Sequence, residues 1–171
     1  YRNFMKYNKI NDFLKLINSK FKKKRKKTCF LIGTTKKKFS NNFYLTPYRE
    51  SQKTIYMGAI VNNNKTAKDI AKKIDGNVNY VFVDIEKKIS SKLDILTNIE
   101  RATKETINKS IIKNYKPNDI TVNSIENFIQ DYFRKDLRGV GGKKILIVGA
   151  GNIGSKIALR LLESGGLVNL F

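Results

Sequence analysis

Three glycines near the end of the sequence have the spacing of a phosphate-binding loop. The segment from Lys144 to Gly154 reads KILIVGAGNIG, so Gly149, Gly151 and Gly154 form G-x-G-x-x-G. The pattern follows four aliphatic residues, Ile145–Val148, and precedes an amphipathic stretch from Ser155 to Leu162. A strand before and a helix after are the context this motif requires. The glycines have separable tasks. Gly149 permits a tight turn out of the strand, Gly151 lets a pyrophosphate approach the backbone, and Gly154 lets the helix pack close to the strand. Free N–H groups near Asn152 and Ile153 would then face the phosphates at the favourable end of the helix dipole. The predicted cofactor-binding set is Gly149, Ala150, Gly151, Asn152, Ile153 and Gly154, and the predicted cofactor is NAD or NADP. An acid about 20 residues past the first glycine would favour NAD, and an arginine nearby would favour NADP. That position falls at or just beyond Phe171.

Other chemistry is limited by residue type. There is no histidine, which excludes a histidine metal site or general base within these residues. The one cysteine, Cys29, cannot form an internal disulfide. Its neighbours Phe30, Leu31 and Ile32 place it on a buried strand, where a thiol is inert packing. No metal-binding residues are predicted, and no catalytic residue is assigned.

The formal net charge is +21. A nucleic acid or an anionic membrane surface would suit it. Residue usage offers another origin. Of the 35 basic residues 28 are lysine, and there are 19 asparagines and 21 isoleucines. AT-rich codons encode all three, so a low-GC genome would raise them together. Phosphate readers favour arginine where bidentate geometry matters. We therefore expect composition bias, scattered lysines, no specific nucleic-acid partner and no membrane partner. The run Lys22–Lys27 (KKKRKK) is read as a solvated helix end or loop. No apolar run approaches the ~18–20 residues that span a bilayer, and no signal core is present. The expected location is cytoplasmic.

The elements that must position the loop follow from periodicity. Ile10, Phe13, Leu14, Ile17 and Phe21 predict a helix over 8–21. Strands are predicted at 28–33, 54–61 and 79–85, with a polar loop containing Pro47 after the first and a helix over 66–74 ended by Gly76. A long helix is predicted from Ser90 to about Asn114, terminated by Pro117. Thr121 or Asn123 should cap another helix running to about Lys135, with Ile125, Phe128, Ile129, Tyr132 and Phe133 buried. Arg138–Gly142 reads as a glycine-rich linker, and Leu167–Phe171 as the opening of a further strand. Strands alternating with helices predict an α/β fold with a largely parallel sheet covered on both faces. The expected organisation is an N-terminal helix and basic run (1–27), an α/β substrate-side domain with a connecting helix (28–137), and the start of a Rossmann domain with a doubly wound parallel sheet (138–171). The chain is expected to be a piece of a longer protein, without turnover by itself.

A small α/β domain, a connecting helix and then GAGNIG in a strand–helix unit resembles the shikimate dehydrogenase family. It is also similar to the related methylenetetrahydrofolate dehydrogenases. The specific part of the resemblance covers about residues 120 to 171. It implies an NAD(P)-dependent oxidoreductase acting on a small organic substrate in an interdomain cleft, compatible with a homo-oligomer. It also implies a cleft lysine, for which Lys87 or Lys88 in Asp84-Ile85-Glu86-Lys87-Lys88 is the nearest counterpart. The family's serine pair and its asparagine–valine–threonine motif are not recognisable here. Asn123 and Ser124 fall near the expected cleft, where their simplest role is N-capping. The 2-hydroxyacid dehydrogenases share the general order. The alternative class is a regulatory nucleotide-binding module without turnover.

Overall fold

Cys29, Phe30, Leu31 and Ile32 are four apolar residues in a row, which suits a strand with neighbours on both edges and apolar cover on its faces. In the computed structural model, which describes residues 8–18, 26–35, 43–86 and 98–171, they lie in strand β1 (Lys27–Thr34). It pairs in parallel with β4 (Thr54–Val61) on one side and β5 (Tyr80–Asp84) on the other. Phe30 and Ile32 are fully buried. Cys29 is buried too, and burial pushes its thiol pKa up, which disfavours the reactive thiolate.

Helices cover the Phe30 side of the sheet. In α1 (Asn8–Leu16) Ile10 and Phe13 face inward, and the Phe13 ring lies 6.0 Å from that of Phe30. In α2 (Asn64–Ile74) Ala67, Ile70, Ala71 and Ile74 join the same core. Asn63 caps α2, its side-chain oxygen accepting from the Thr66 N–H at 2.8 Å, and Gly76 leaves it at φ +75°. Leu31, Ile60, Tyr80 and Phe82 alternate with the core residues and are half-buried, so among the described residues the second sheet face is less covered than expected.

The structure corrects four expectations here. The polar loop around Pro47 contains two short strands, β2 (Phe43–Leu45) and β3 (Arg49–Glu50), both antiparallel to β4. They are too short for a periodic signal. The helix predicted over 90–114 is, within the described residues, α3 (Ile99–Lys104) followed by β6 (Ile111–Tyr115), parallel to β5. The Asp75 carboxylate accepts the N–H groups of Asn108, Lys109 and Ser110 at 3.0, 2.9 and 2.9 Å, engaging donors that a continuing helix would use. Pro117 opens a helix rather than ending one. It begins α4 (Pro117–Tyr132), where its missing N–H costs nothing. On α4 the buried apolar residue is Val122, whereas Phe128 and Tyr132 are 75% and 76% exposed.

The sheet order is β2-β4-β1-β5-β6, with β3 also on β4, and all of it belongs to the compact unit Tyr1–Tyr115. The second unit, Lys116–Phe171, contains α4, β7 (Lys144–Ile147), α5 (Asn152–Glu163) and β8 (Leu167–Leu170). Arg138–Gly142 lies inside this unit as a turn, with Val140 buried and the Gly142 N–H donating to Gly165 at 2.9 Å.

The cap can be tested by urea unfolding. Asn63→Ala should lose about 1 kcal/mol of stability and Asn63→Asp much less. An alanine variant as stable as the parent would refute the capping account.

Candidate functional site

The glycine segment folds as a strand, a tight turn and a helix. β7 and β8 are parallel, with Ile145 opposite Val168 and Ile147 opposite Leu170, and α5 is their crossover. Ile157 and Leu161 of α5 are buried with Val122 and Val140 against Ile145, Ile147 and Val168. Two ion pairs join α5 to α4, Lys156 to Asp119 at 2.5 Å and Arg160 to Glu126 at 2.9 Å. The Lys156 ammonium hydrogen-bonded to it holds the Asp119 carboxyl below its ordinary value. That contribution is present above about pH 4 and fades as pH falls through the lowered folded-state pKa.

The three glycines have different surroundings. Gly149 sits at φ +113°, a backbone conformation that side chains disfavour, and its N–H donates to the Phe171 carbonyl at 2.6 Å. A Cβ on Gly154 would lie 1.9 Å from the Gly149 carbonyl oxygen, so only glycine fits beneath the helix. Gly151 has neither constraint. Its φ of −74° and ψ of −179° suit any residue, and no atom lies within 4 Å of a Cβ built there.

Gly151 is the N-cap of α5, and no side chain caps it. The first intrahelical bond runs from Ser155 N–H to Gly151 at 2.9 Å, so the N–H groups of Asn152, Ile153 and Gly154 precede the helical ladder. The first turn contains no acid to offset the positive end of the helix. Gly149, Ala150, Gly151 and Asn152 are exposed, while Ile153 and Gly154 are half-buried. The arrangement presents an open, uncapped helix start over a side-chain-free backbone, a geometry that can accept an anion.

The other candidate residues that the structure describes do not gather there. Lys87 and Lys88 lie outside the described residues. Asn123 and Ser124 are inside α4 and cap nothing. Ser124 donates back to the Ile120 carbonyl at 2.8 Å, and Asn123 accepts from Arg160 at 3.3 Å. A cluster that the sequence did not flag lies in the first unit, at the carboxyl ends of its parallel strands. Asp84 is 2% exposed and accepts from the N–H and hydroxyl of Thr34, both at 3.1 Å, and from the Glu86 N–H at 2.8 Å. Burial first, then the charges of Asp84 and Glu86, raise the Tyr115 pKa strongly, so its phenol stays protonated. A periodicity argument has no signal for this, because Thr34 and Asp84 are 50 residues apart. A depression of about 240 Å³ beside Val140 and Ser164 lies at the far end of α5 from the glycine loop. Among the described residues no cluster of histidine, cysteine or carboxylate side chains could hold a metal, and no helix is long and apolar enough to cross a membrane.

Two alanine variants separate the glycine roles. Gly154→Ala should lose more than about 2 kcal/mol in thermal unfolding, from overpacking against Gly149. Gly151→Ala should stay within about 1 kcal/mol of the parent, the lost freedom of the unfolded chain offsetting alanine's poorer fit at an N-cap. Equal destabilisation of the two would contradict this geometry. Comparison of the chain with protein-family models, with curated proteins and with solved structures finds no match.

Proposed function

We propose that residues 144–171 are the pyrophosphate-binding start of a Rossmann-type nucleotide domain, and that the protein is an NAD(P)-dependent oxidoreductase of a small organic substrate. The observation that carries this reading is Gly151. Backbone conformation accounts for Gly149 and packing accounts for Gly154, whereas Gly151 is an N-cap, a position that Ser, Asp or Asn fills at least as well, so neither those constraints nor capping singles out glycine there. A ligand lying directly against the backbone does. The residues fit the group: an open cradle at Gly151, uncapped N–H groups at the start of α5, and no acid in its first turn.

When bound, the nicotinamide would supply hydride transfer. The chain's own part is to bind and orient. The N–H groups of Asn152, Ile153 and Gly154 donate toward phosphate oxygens, and the dipole of α5 offsets their charge. The buried contacts of Ile157 and Leu161 hold α5 in place. A small α/β unit followed by a glycine-loop unit is also the order of the shikimate dehydrogenase-like enzymes, which supports a dehydrogenase over a regulatory module. The cytoplasm is the compartment this reading implies.

Titration calorimetry of Gly151→Val with NAD and with NADP is the direct test. Affinity for the preferred cofactor should fall about tenfold or more, with the unfolding temperature little changed. Unchanged affinity for both cofactors would overturn the reading.

A further inference from the structure

Lysine is spread unevenly along the chain, and this separates two origins of the net charge. Residues 1–115 hold 23 lysines and residues 116–171 hold five, about one in five against one in eleven. Of the other residues that AT-rich codons favour, isoleucine numbers 14 and seven, about one in eight in each unit, and asparagine 14 and five, about one in eight against one in eleven, a smaller skew than that of lysine. A genome-wide codon bias acts on both units alike. It accounts for the isoleucines and leaves the lysine excess without an explanation. With 27 basic and nine acidic residues the first unit carries +18, and with eight and five the second carries +3.

Several of the described lysines collect at one end of the first unit's sheet. Lys27 opens β1, and its N–H donates at 2.9 Å to the carbonyl of Lys53, which immediately precedes β4. Lys109 lies just ahead of β6. As the crossover between parallel strands, α2 runs against them and brings Lys72 of its last turn down at the same end. The stem of Lys109 lies over Gly76 at the exit of α2, its Cδ 2.9 Å from where a Cβ would stand. Lys27, Lys53, Lys72 and Lys109 are all exposed. Acids at this end are engaged: Glu50 with Lys26 at 2.5 Å, and Asp75 with three backbone N–H groups. Asp84 and Glu86 lie at the opposite end of the strands.

We propose that this lysine rim is a surface for the phosphate backbone of a nucleic acid, contacted without regard to base sequence. Lysine is a point charge on a flexible stem, suited to phosphate attraction and lacking the fork that reads base edges. The exposed amides of Gln52 and Asn79 stand among the lysines as donors of the kind that meet phosphate and sugar, while that of Asn77 already donates to the Lys73 carbonyl at 2.9 Å. The bulky side chains bordering this rim among the described residues are Tyr56, 37% exposed, half-buried Tyr80 and Ile111, 51% exposed, in register across the strands. Two of the three are aromatic rings of the kind on which unpaired bases stack, and a bilayer is the other occupant that the test sets against a nucleic acid. The surface is independent of the glycine loop.

The test is fluorescence anisotropy of the full chain with labelled single-stranded and duplex oligonucleotides, each in two unrelated sequences, between about 50 and 200 mM salt. Combining Lys27→Gln, Lys53→Gln and Lys109→Gln should weaken binding about tenfold at the lower salt. It should also flatten the plot of log affinity against log salt by about two to three. Combining Lys15→Gln, Lys65→Gln and Lys113→Gln removes the same charge elsewhere on the unit and should change affinity less than about threefold. In the unaltered chain, acetylation read by mass spectrometry should show Lys27, Lys53 and Lys109 protected by the oligonucleotide and Lys15, Lys65 and Lys113 not protected, a readout that does not depend on how a variant folds. Equal losses in the two triple variants, equal protection of the two sets, strong sequence preference, or binding to phosphatidylserine vesicles without binding to oligonucleotides would each overturn the proposal.

Discussion

A hairpin cannot join two parallel strands, so the chain must leave the sheet, return along its face and re-enter it. Both units obey this constraint. In the first, α2 carries the chain from β4 to β5 across β1, and the cost of the detour is offset by burying Ile70, Ala71 and Ile74 on Phe30 and Ile32. In the second, α5 carries it from β7 to β8 and buries Ile157 and Leu161. The crossover also sorts the termini. The parallel strands point one way and their crossover helices the other, so each sheet has an end where crossover helices start and an end where they exit.

That sorting gives the ends different electrostatics. At the carboxyl ends of β1 and β5, Asp84 is held by Thr34 and the Glu86 N–H, beside a Tyr115 whose phenol stays protonated. At the amino ends lie Lys27, Lys53 and Lys109, together with the last turn of α2, where cations also oppose the negative end of the helix dipole. In the second unit the carboxyl end of β7 meets the uncapped start of α5. The crossover is tightest at that point: Gly154 passes so close to the Gly149 carbonyl that a single methyl would not fit.

Much of this was legible in the residues. TCFLIG and TIYMGAIV are apolar runs of strand length, and the structure makes them β1 and β4. Gly76 after a run of apolar spacing marks the end of α2 by local chemistry alone, whereas the helix starts at Asn64, two residues ahead of the expected Thr66, with Asn63 as its cap. KILIVGAGNIG specifies strand, turn and helix because each glycine requirement is met within a dozen residues. What escaped detection depends on distant partners. Residues 106–115 have helical spacing, yet Asp75 takes their N–H groups and β5 takes Ile111–Tyr115 as a strand. Phe43 and Leu45 form β2 only because Val61 and Ala59 stand opposite.

By itself the sequence determined the local grammar: the β1, β4 and β5 runs, the glycine end of α2, the glycine turn and the absence of histidine chemistry. Those follow from steric and hydrogen-bonding rules that act over a few residues. Only the tertiary structure decided that α4 packs with α5 in the second unit rather than serving as the tail of the first. It also decided that Thr34 and Asp84 meet, that Gly151 faces open space, and that Lys27, Lys53 and Lys109 share one end of a sheet. Each is a contact between positions far apart in sequence or a question of what surrounds a residue. Their energies arise from burial and pairing that exist only once the parallel sheet has assembled.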